Sequence, residues 1–221
     1  MVTQERVAEA GRGSAGHRQG HESREAILEA TLAIASERGY DGTTMALVTE
    51  RTGLLNSSIY WHFGSKDKLL AATLQYSYEK WRSVAPTWRD RPEPEGVAAR
   101  VAQRFEDASR ALSETPQFWS LGLMLALRAW VKEPEALDIF RSVRSDTAQQ
   151  LSHWWADLLD ARAVERDPGL PLRLGQFWVV MMDGVFLQQR GTSAADSKRL
   201  LDRLIGGFTH YLVNSGIADG S

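Results

Sequence analysis

No cysteine occurs in the chain, which excludes disulfides, thiolate metal ligands and a thiol nucleophile in one step. Long apolar runs are missing too. The longest candidate, residues 118–131, falls short of the roughly eighteen residues that a membrane span requires and contains Arg128. The first twenty residues carry charges but no apolar core, so no secretory signal is expected there. The expected compartment is the cytoplasm, with no membrane partner. Nor does one sign of charge dominate. The net charge is −2 over 221 residues, and the first seventy hold eight Lys or Arg against nine Asp or Glu. Non-specific affinity for nucleic acid comes mostly from phosphate neutralisation, so any cations serving that purpose must be placed locally. His, Asp and Glu do not recur at metal-ligand spacing, and no nucleophile–base pairing stands out. Neither a metal, a cofactor nor enzymatic catalysis is expected.

What is present reads as an all-α chain in two parts. Hydrophobic residues make up 43% and charged residues 24%, the balance of an ordinary globular protein. Residues 1–22, with Gly11, Gly13, Gly16 and Gly20 and little apolar content, are expected to form a disordered arm. From such an arm Arg12, Arg18 and Arg24 could reach a minor groove, although a plain tail is the simpler reading. From Ser23 onward the apolar residues recur at helical spacing. Ser23 is the expected N-cap of a first helix carrying Ile27, Leu28, Thr31, Leu32, Ile34 and Ala35, with Gly39 as its stop.

Thr43 or Thr44 would cap a second helix reaching Arg51, with Met45, Leu47 and Val48 facing inward. Gly53 marks a tight turn, and a third helix follows from about Asn56 to Phe63, ended by Gly64. Ser65 would cap a fourth, whose apolar face is Leu69, Leu70, Thr73 and Leu74. These four short helices define an expected domain over residues 23–74. The three prolines between Pro86 and Gly96 read as a connector. Longer helices are then expected over 97–113, 117–132, 135–161, 172–189 and 194–214, making residues 75–221 a larger helical domain.

The segment Thr43–Leu70 carries the functional signal. A helix, a Gly-containing turn and a second helix can hold that second helix clear of the body and place it in a DNA major groove. Asn56, Ser57 and Ser58 put small hydrogen-bonding groups at its N-terminus, the end suited to base edges and phosphates. Tyr60, Trp61 and His62 add a hydroxyl, an indole N–H and an imidazole, while Ile59 and Phe63, four apart, can anchor the inner face. Lys66 falls in the first turn of the next helix, where the dipole disfavours a cation and a phosphate partner would account for it. With Thr44, these residues form the candidate DNA-binding set: Thr44, Asn56, Ser57, Ser58, Tyr60, Trp61, His62 and Lys66.

At these positions the chain resembles the TetR family of transcriptional regulators. The resemblance rests on Ile27-Leu28-Glu29-Ala30-Thr31, Glu37-Arg38-Gly39-Tyr40, Thr43-Thr44, Thr52-Gly53-Leu54 and the run Ile59 to Leu70, and covers roughly residues 23–74. Val48-Thr49, Thr52 and Leu55-Asn56-Ser57-Ser58 depart from the usual pattern, and the last of these lies where sequence preference should reside. The resemblance implies an N-terminal three-helix helix-turn-helix domain, a larger helical ligand-binding and dimerisation domain, and a palindromic operator bound by a homodimer. It also favours a phosphate contact through the Tyr60 hydroxyl. The expected function is that of a repressor released by a small apolar or aromatic effector. The alternative is a helical binding protein or enzyme that does not touch DNA.

The resemblance further implies an effector pocket in the second part, which holds seven of the eight tryptophans. Trp119, Met124, Trp154, Phe177 and Met181 are the guessed pocket residues, since adaptable apolar cavities favour aromatic and flexible side chains. His153, Arg128 and Asp183 are possible polar anchors, although each reads more simply as a surface or structural residue. The last two helices carry more apolar surface than one protomer needs. Phe186, Leu204, Phe208 and Leu212 are the expected dimer contacts, with mid-helix Gly206 and Gly207 permitting close approach.

Overall fold

The computed structural model describes residues 2–84, 92–128 and 134–218, with the side chains of 2–18 outside that description. Among the described residues the chain is helical throughout and holds no strand. Its helices are α1 (Val2–Gly42), α2 (Met45–Thr52), α3 (Asn56–Phe63), α4 (Lys66–Val84), α5 (Val97–Glu114), α6 (Gln117–Ala126), α7 (Pro134–Leu158), α8 (Ala161–Arg166), α9 (Leu170–Gly191) and α10 (Ala194–Asn214). They gather into two compact units. One comprises Met1–Tyr78 with Ser120–Ile139, the other Glu79–Trp119 with Phe140–Ser221.

The first unit packs α1–α4 around Ile27, Leu28, Ile34, Val48, Ile59, Phe63 and Leu69, with Met45, Leu47, Leu54 and Tyr76 against them. Ile27, Val48 and Ile59 are fully buried, one from each of three helices, so the apolar periodicity read from the sequence closes on a single core. Ser23 does not cap α1. Its hydroxyl donates to the Gln19 carbonyl at 2.8 Å, as a hydroxyl inside a helix does, because the helical backbone continues upstream through the stretch read as a disordered arm. Gly39 ends the regular part of α1 at φ 69°, ψ −178°, a conformation that is essentially glycine-only.

The boundary of this unit also differs from the expected residue 74. Its first stretch ends at Tyr78, inside α4, and residues 120–139 join it. Two contacts show what holds that segment. Arg128 donates to the Asp41 carboxylate at 2.6 Å, and Met124 lies over Gly39.

The second unit is built on α5, α9 and α10 with the main length of α7. Phe105 packs against Trp178 at 5.8 Å and Phe208 at 6.1 Å between ring centroids, and Trp155 meets Phe208 edge-on at 5.6 Å. Gly175 lets α9 approach α7 closely: a Cβ there would lie 2.4 Å from the Ala148 carbonyl oxygen. Arg144 and Asp183 join the same helices at 2.6 Å. The long helix expected over 135–161 is broken because the Asp160 carboxylate caps a new helix, accepting from the Arg162 and Ala163 amides at 2.8 and 3.3 Å. Helix α9 is long and apolar enough to cross a membrane by composition. Eight of its residues, from Pro171 to Phe186, are nonetheless buried in this unit.

Candidate nucleic-acid interface

The Thr44 hydroxyl accepts from the Leu47 amide at 3.3 Å and caps α2. Thr43 turns inward and donates to the Gly39 carbonyl at 2.8 Å. At the other end of α2, Gly53 takes a left-handed conformation and its N–H reaches the Thr49 carbonyl at 2.9 Å. Thr52 fastens this turn from both sides: its hydroxyl donates to the Val48 carbonyl at 2.8 Å and accepts from the Leu54 amide at 3.2 Å. The result is a short, well-bonded turn between α2 and α3.

Helix α3 buries Ile59 and Phe63 and turns its other residues outward. Asn56, Ser57, Tyr60 and Trp61 are exposed, Ser58 and His62 half-buried. The Leu55 carbonyl accepts from Ser58 and Ile59, but Leu55 has no capping side chain. The Asn56 and Ser57 amides therefore have no acceptor within the helix and are available to an outside anion. The His62 imidazole packs against the edge of Trp61 at 4.7 Å. Burial first, and the nearby Arg24 guanidinium second, hold its pKa below the ordinary value. Arg24 itself lies over the Phe63 ring, 5.4 Å from its centroid. Gly64 closes α3 at φ 75°, bonding to the Tyr60 carbonyl at 2.7 Å. The Ser65 hydroxyl then accepts from the Lys68 amide at 3.2 Å, which makes Lys66 the first residue of α4.

The eight residues singled out from the sequence thus occupy the outer side of α3, the cap of α2 and the first turn of α4, and none is fully buried. Leu55 was missed. The signal for it was an apolar residue at a position where Ser, Thr, Asp or Asn is preferred.

The five guessed pocket residues do not converge. Trp119 is buried among Trp81, Phe118 and Phe140, with centroids 5.5–6.0 Å away. Trp154 donates its indole N–H to Glu93 at 2.7 Å and lies against the Arg104 guanidinium. Met124 belongs to the first unit, beside Gly39. Only Phe177 and Met181 fall together, lining a hollow of about 670 Å³ between α9 and α10 with Leu204, Phe208 and Tyr211. Of the polar anchors, His153 is exposed, and Arg128 and Asp183 are held in the ion pairs already described.

The expected dimer contacts also need correction. Phe186, Phe208 and Leu212 are buried in the protomer's own core, Phe208 against Phe105 of α5 and Trp155 of α7, and Leu204 is half-buried. The exposed large apolar residues of α9 and α10 are instead Leu172, Phe177, Val180, Leu187, Leu200 and Tyr211. One cluster in the second unit was not anticipated. Glu93, between two prolines, accepts from Arg104 and Trp154 at 2.7 Å each and from Arg100.

Residues 27–73 match the family described as bacterial regulatory proteins, tetR family. The chain is 42% identical over 59 residues to the HTH-type transcriptional repressor KstR of Mycolicibacterium smegmatis, covering 27% of this chain and 29% of that one. The match therefore spans less than a third of the relative's length. In fold it is similar to a transcriptional regulator from Rhodococcus sp. Rha1, with a TM-score of 0.62 at 19% identity, covering 83% of this chain and 94% of the other. It is also similar to AibR, solved in complex with isovaleryl coenzyme A and operator DNA, with a TM-score of 0.57 at 16% identity over 83% and 96% of the two chains.

Proposed function

We propose that the chain is a member of the TetR family, to whose family model and relatives its residues 27–73 are similar, and that it is a DNA-binding transcriptional repressor rather than an enzyme. In this reading α2 and α3 form the helix-turn-helix pair. Asn56, Ser57, Ser58, Trp61 and His62 face the major groove, while Thr44, Tyr60 and Lys66 hold phosphates. The observation that carries it is the exposure of Asn56, Ser57, Tyr60 and Trp61 on the side of α3 away from the buried Ile59 and Phe63.

The working form is a homodimer joined through the exposed apolar faces of α9 and α10. Phe177, Val180, Leu187, Leu200 and Tyr211 cost free energy in water, and a two-fold mate removes that cost. The hollow lined by Phe177 and Met181 belongs to this face, so the effector is assigned to the second unit in general and not to that hollow. That AibR was solved with isovaleryl coenzyme A and operator DNA supports a regulator that takes an organic effector as well as DNA; for an effector that weakens DNA binding, reciprocity requires DNA to weaken effector binding by the same factor. A DNA-binding regulator of this kind works in the cytoplasm.

Selection from a random duplex pool tests the reading. The protein is expected to enrich an inverted repeat whose half-sites are spaced by one helical turn. Failure to enrich any sequence at low salt, with the protein folded and dimeric, overturns it.

A further inference from the structure

Helix α3 (Asn56–Phe63) contains no Arg, Lys, Gln, Asp or Glu. The side chains that read guanine and cytosine most strongly in the major groove, Arg or Lys to guanine and Asp or Glu to cytosine, are therefore absent from it. Of the bidentate readers only Asn56, suited to adenine, remains.

What α3 presents instead is apolar. Leu55 and Trp61 are 75% and 78% exposed, and among the described residues only Leu127 is a more exposed large hydrophobic side chain. Their placement is specific. Trp61 stands two residues from each buried anchor, Ile59 and Phe63, about 200° round the helix from either, at the centre of the outward face. The edge contact with His62 restrains its ring, which lowers the cost of ordering it on binding. Leu55 adopts the extended conformation of an N-cap but offers no capping group. It thus gives up local helix stability at the end of α3 that a recognition helix directs toward base edges.

We propose that this protein reads its operator chiefly through the C5-methyl groups of thymines, one covered by Trp61 and one by Leu55. The inference rests on the regulator reading above and deepens it. Thymine is the base that carries a methyl group into the major groove, and Leu55 and Trp61 have bulk to cover one. Six residues separate them, or about 9 Å along the axis at about 1.5 Å per residue. A helix lying in the groove runs obliquely to the duplex axis, so with base pairs stacked about 3.4 Å apart the two thymines fall within about three base pairs of each other in each half-site.

The test uses the full-length protein and the duplex enriched from a random pool, with each thymine replaced singly by uracil, which removes the methyl and keeps the pairing. Uracil at two positions per half-site is expected to weaken wild-type binding about fourfold each, the worth of one buried methyl group. In Trp61→Ala the thymine–uracil difference disappears at one of these positions, and in Leu55→Ala at the other. Both side chains are exposed, so unchanged thermal unfolding verifies that the variants fold. Wild-type binding that is tight but indifferent to uracil everywhere overturns this inference and leaves the regulator reading standing. Failure to bind any duplex overturns both.

Discussion

Met124 and Gly39 are complementary: the Met124 Cε methyl lies 3.0 Å from where a Cβ on residue 39 would stand. Gly39 also holds φ 69° with ψ near 180°, so an alanine there meets a clash and a backbone penalty together. Gly39→Ala is expected to destabilise the protein by about 1–3 kcal/mol, measured by urea unfolding. Combining it with Met124→Ala separates the causes. The steric part is relieved in the double variant and the backbone part remains. Full recovery would show that the conformation of Gly39 carries no strain.

Glu93 is expected to contribute to the acid limb of stability. Burial alone would raise its pKa, but hydrogen bonds from Arg104, Arg100 and Trp154 together hold it below the ordinary carboxylate value of 4.5. A depressed carboxylate contributes stability that is full above the unfolded-state pKa and is lost as pH falls through the folded one. Unfolding of the wild type should therefore weaken below about pH 4.5, and Glu93→Gln should flatten that limb. Because Arg104 is buried, Glu93→Ala is expected to cost about 2–3 kcal/mol at neutral pH. An unchanged acid limb in Glu93→Gln would contradict the assignment.

His62 should titrate below 6.5, because burial and then Arg24 disfavour its charged form. The sign follows: the unfolded chain binds the proton more readily, so the stability tied to neutral His62 is full above about pH 6.5 and declines as pH falls. The imidazole resonances followed by NMR report the titration directly. Arg24→Ala should move it upward by part of the shift. A pKa above 6.5 in the free protein would contradict the picture of a ring packed between Trp61 and Phe63.

The dimer face is expected to be sensitive to charge at Val180 and Leu187, both more than half exposed in one protomer. Val180→Glu with Leu187→Glu should convert the particle from two chains to one in light scattering, with the helical content retained. DNA affinity should fall by more than tenfold, since two half-sites are then no longer bound together. A wild-type monomer in the same measurement would remove the basis for a palindromic site.

The helix-turn-helix was legible because its signals are local. Gly53 and Gly64 sit where positive φ is required, Thr44 and Ser65 cap the following helices, and Ile59 and Phe63 fall on one face. The termini of α10 matched the reading for the same reason, with Ser193 capping Asp196 at 3.1 Å. What could not be read was which of several apolar stripes faces inward. Phe186 on α9 and Phe208 and Leu212 on α10 looked like interface residues, but all three are buried within the protomer, and Val180 and Leu187 lie outward. The pocket guesses failed similarly. Trp119, Met124 and Trp154 are all apolar or aromatic at helical spacing, and only the tertiary path of the chain sends them to three different neighbourhoods. The association of residues 120–139 with the first unit rests on Arg128–Asp41 and Met124–Gly39, contacts more than eighty residues apart in sequence.

The central claim, that α3 and its flanking caps bind DNA, is tested most directly by fluorescence anisotropy on the enriched duplex with wild type and the double variant Tyr60→Phe, Lys66→Ala. The account predicts specific, salt-sensitive binding by the wild type. The variant should bind at least tenfold more weakly, with a salt slope smaller by about one phosphate contact and with unfolding and dimer state unchanged. Equal affinity in wild type and variant, or no binding of any duplex by a folded dimer, would contradict it.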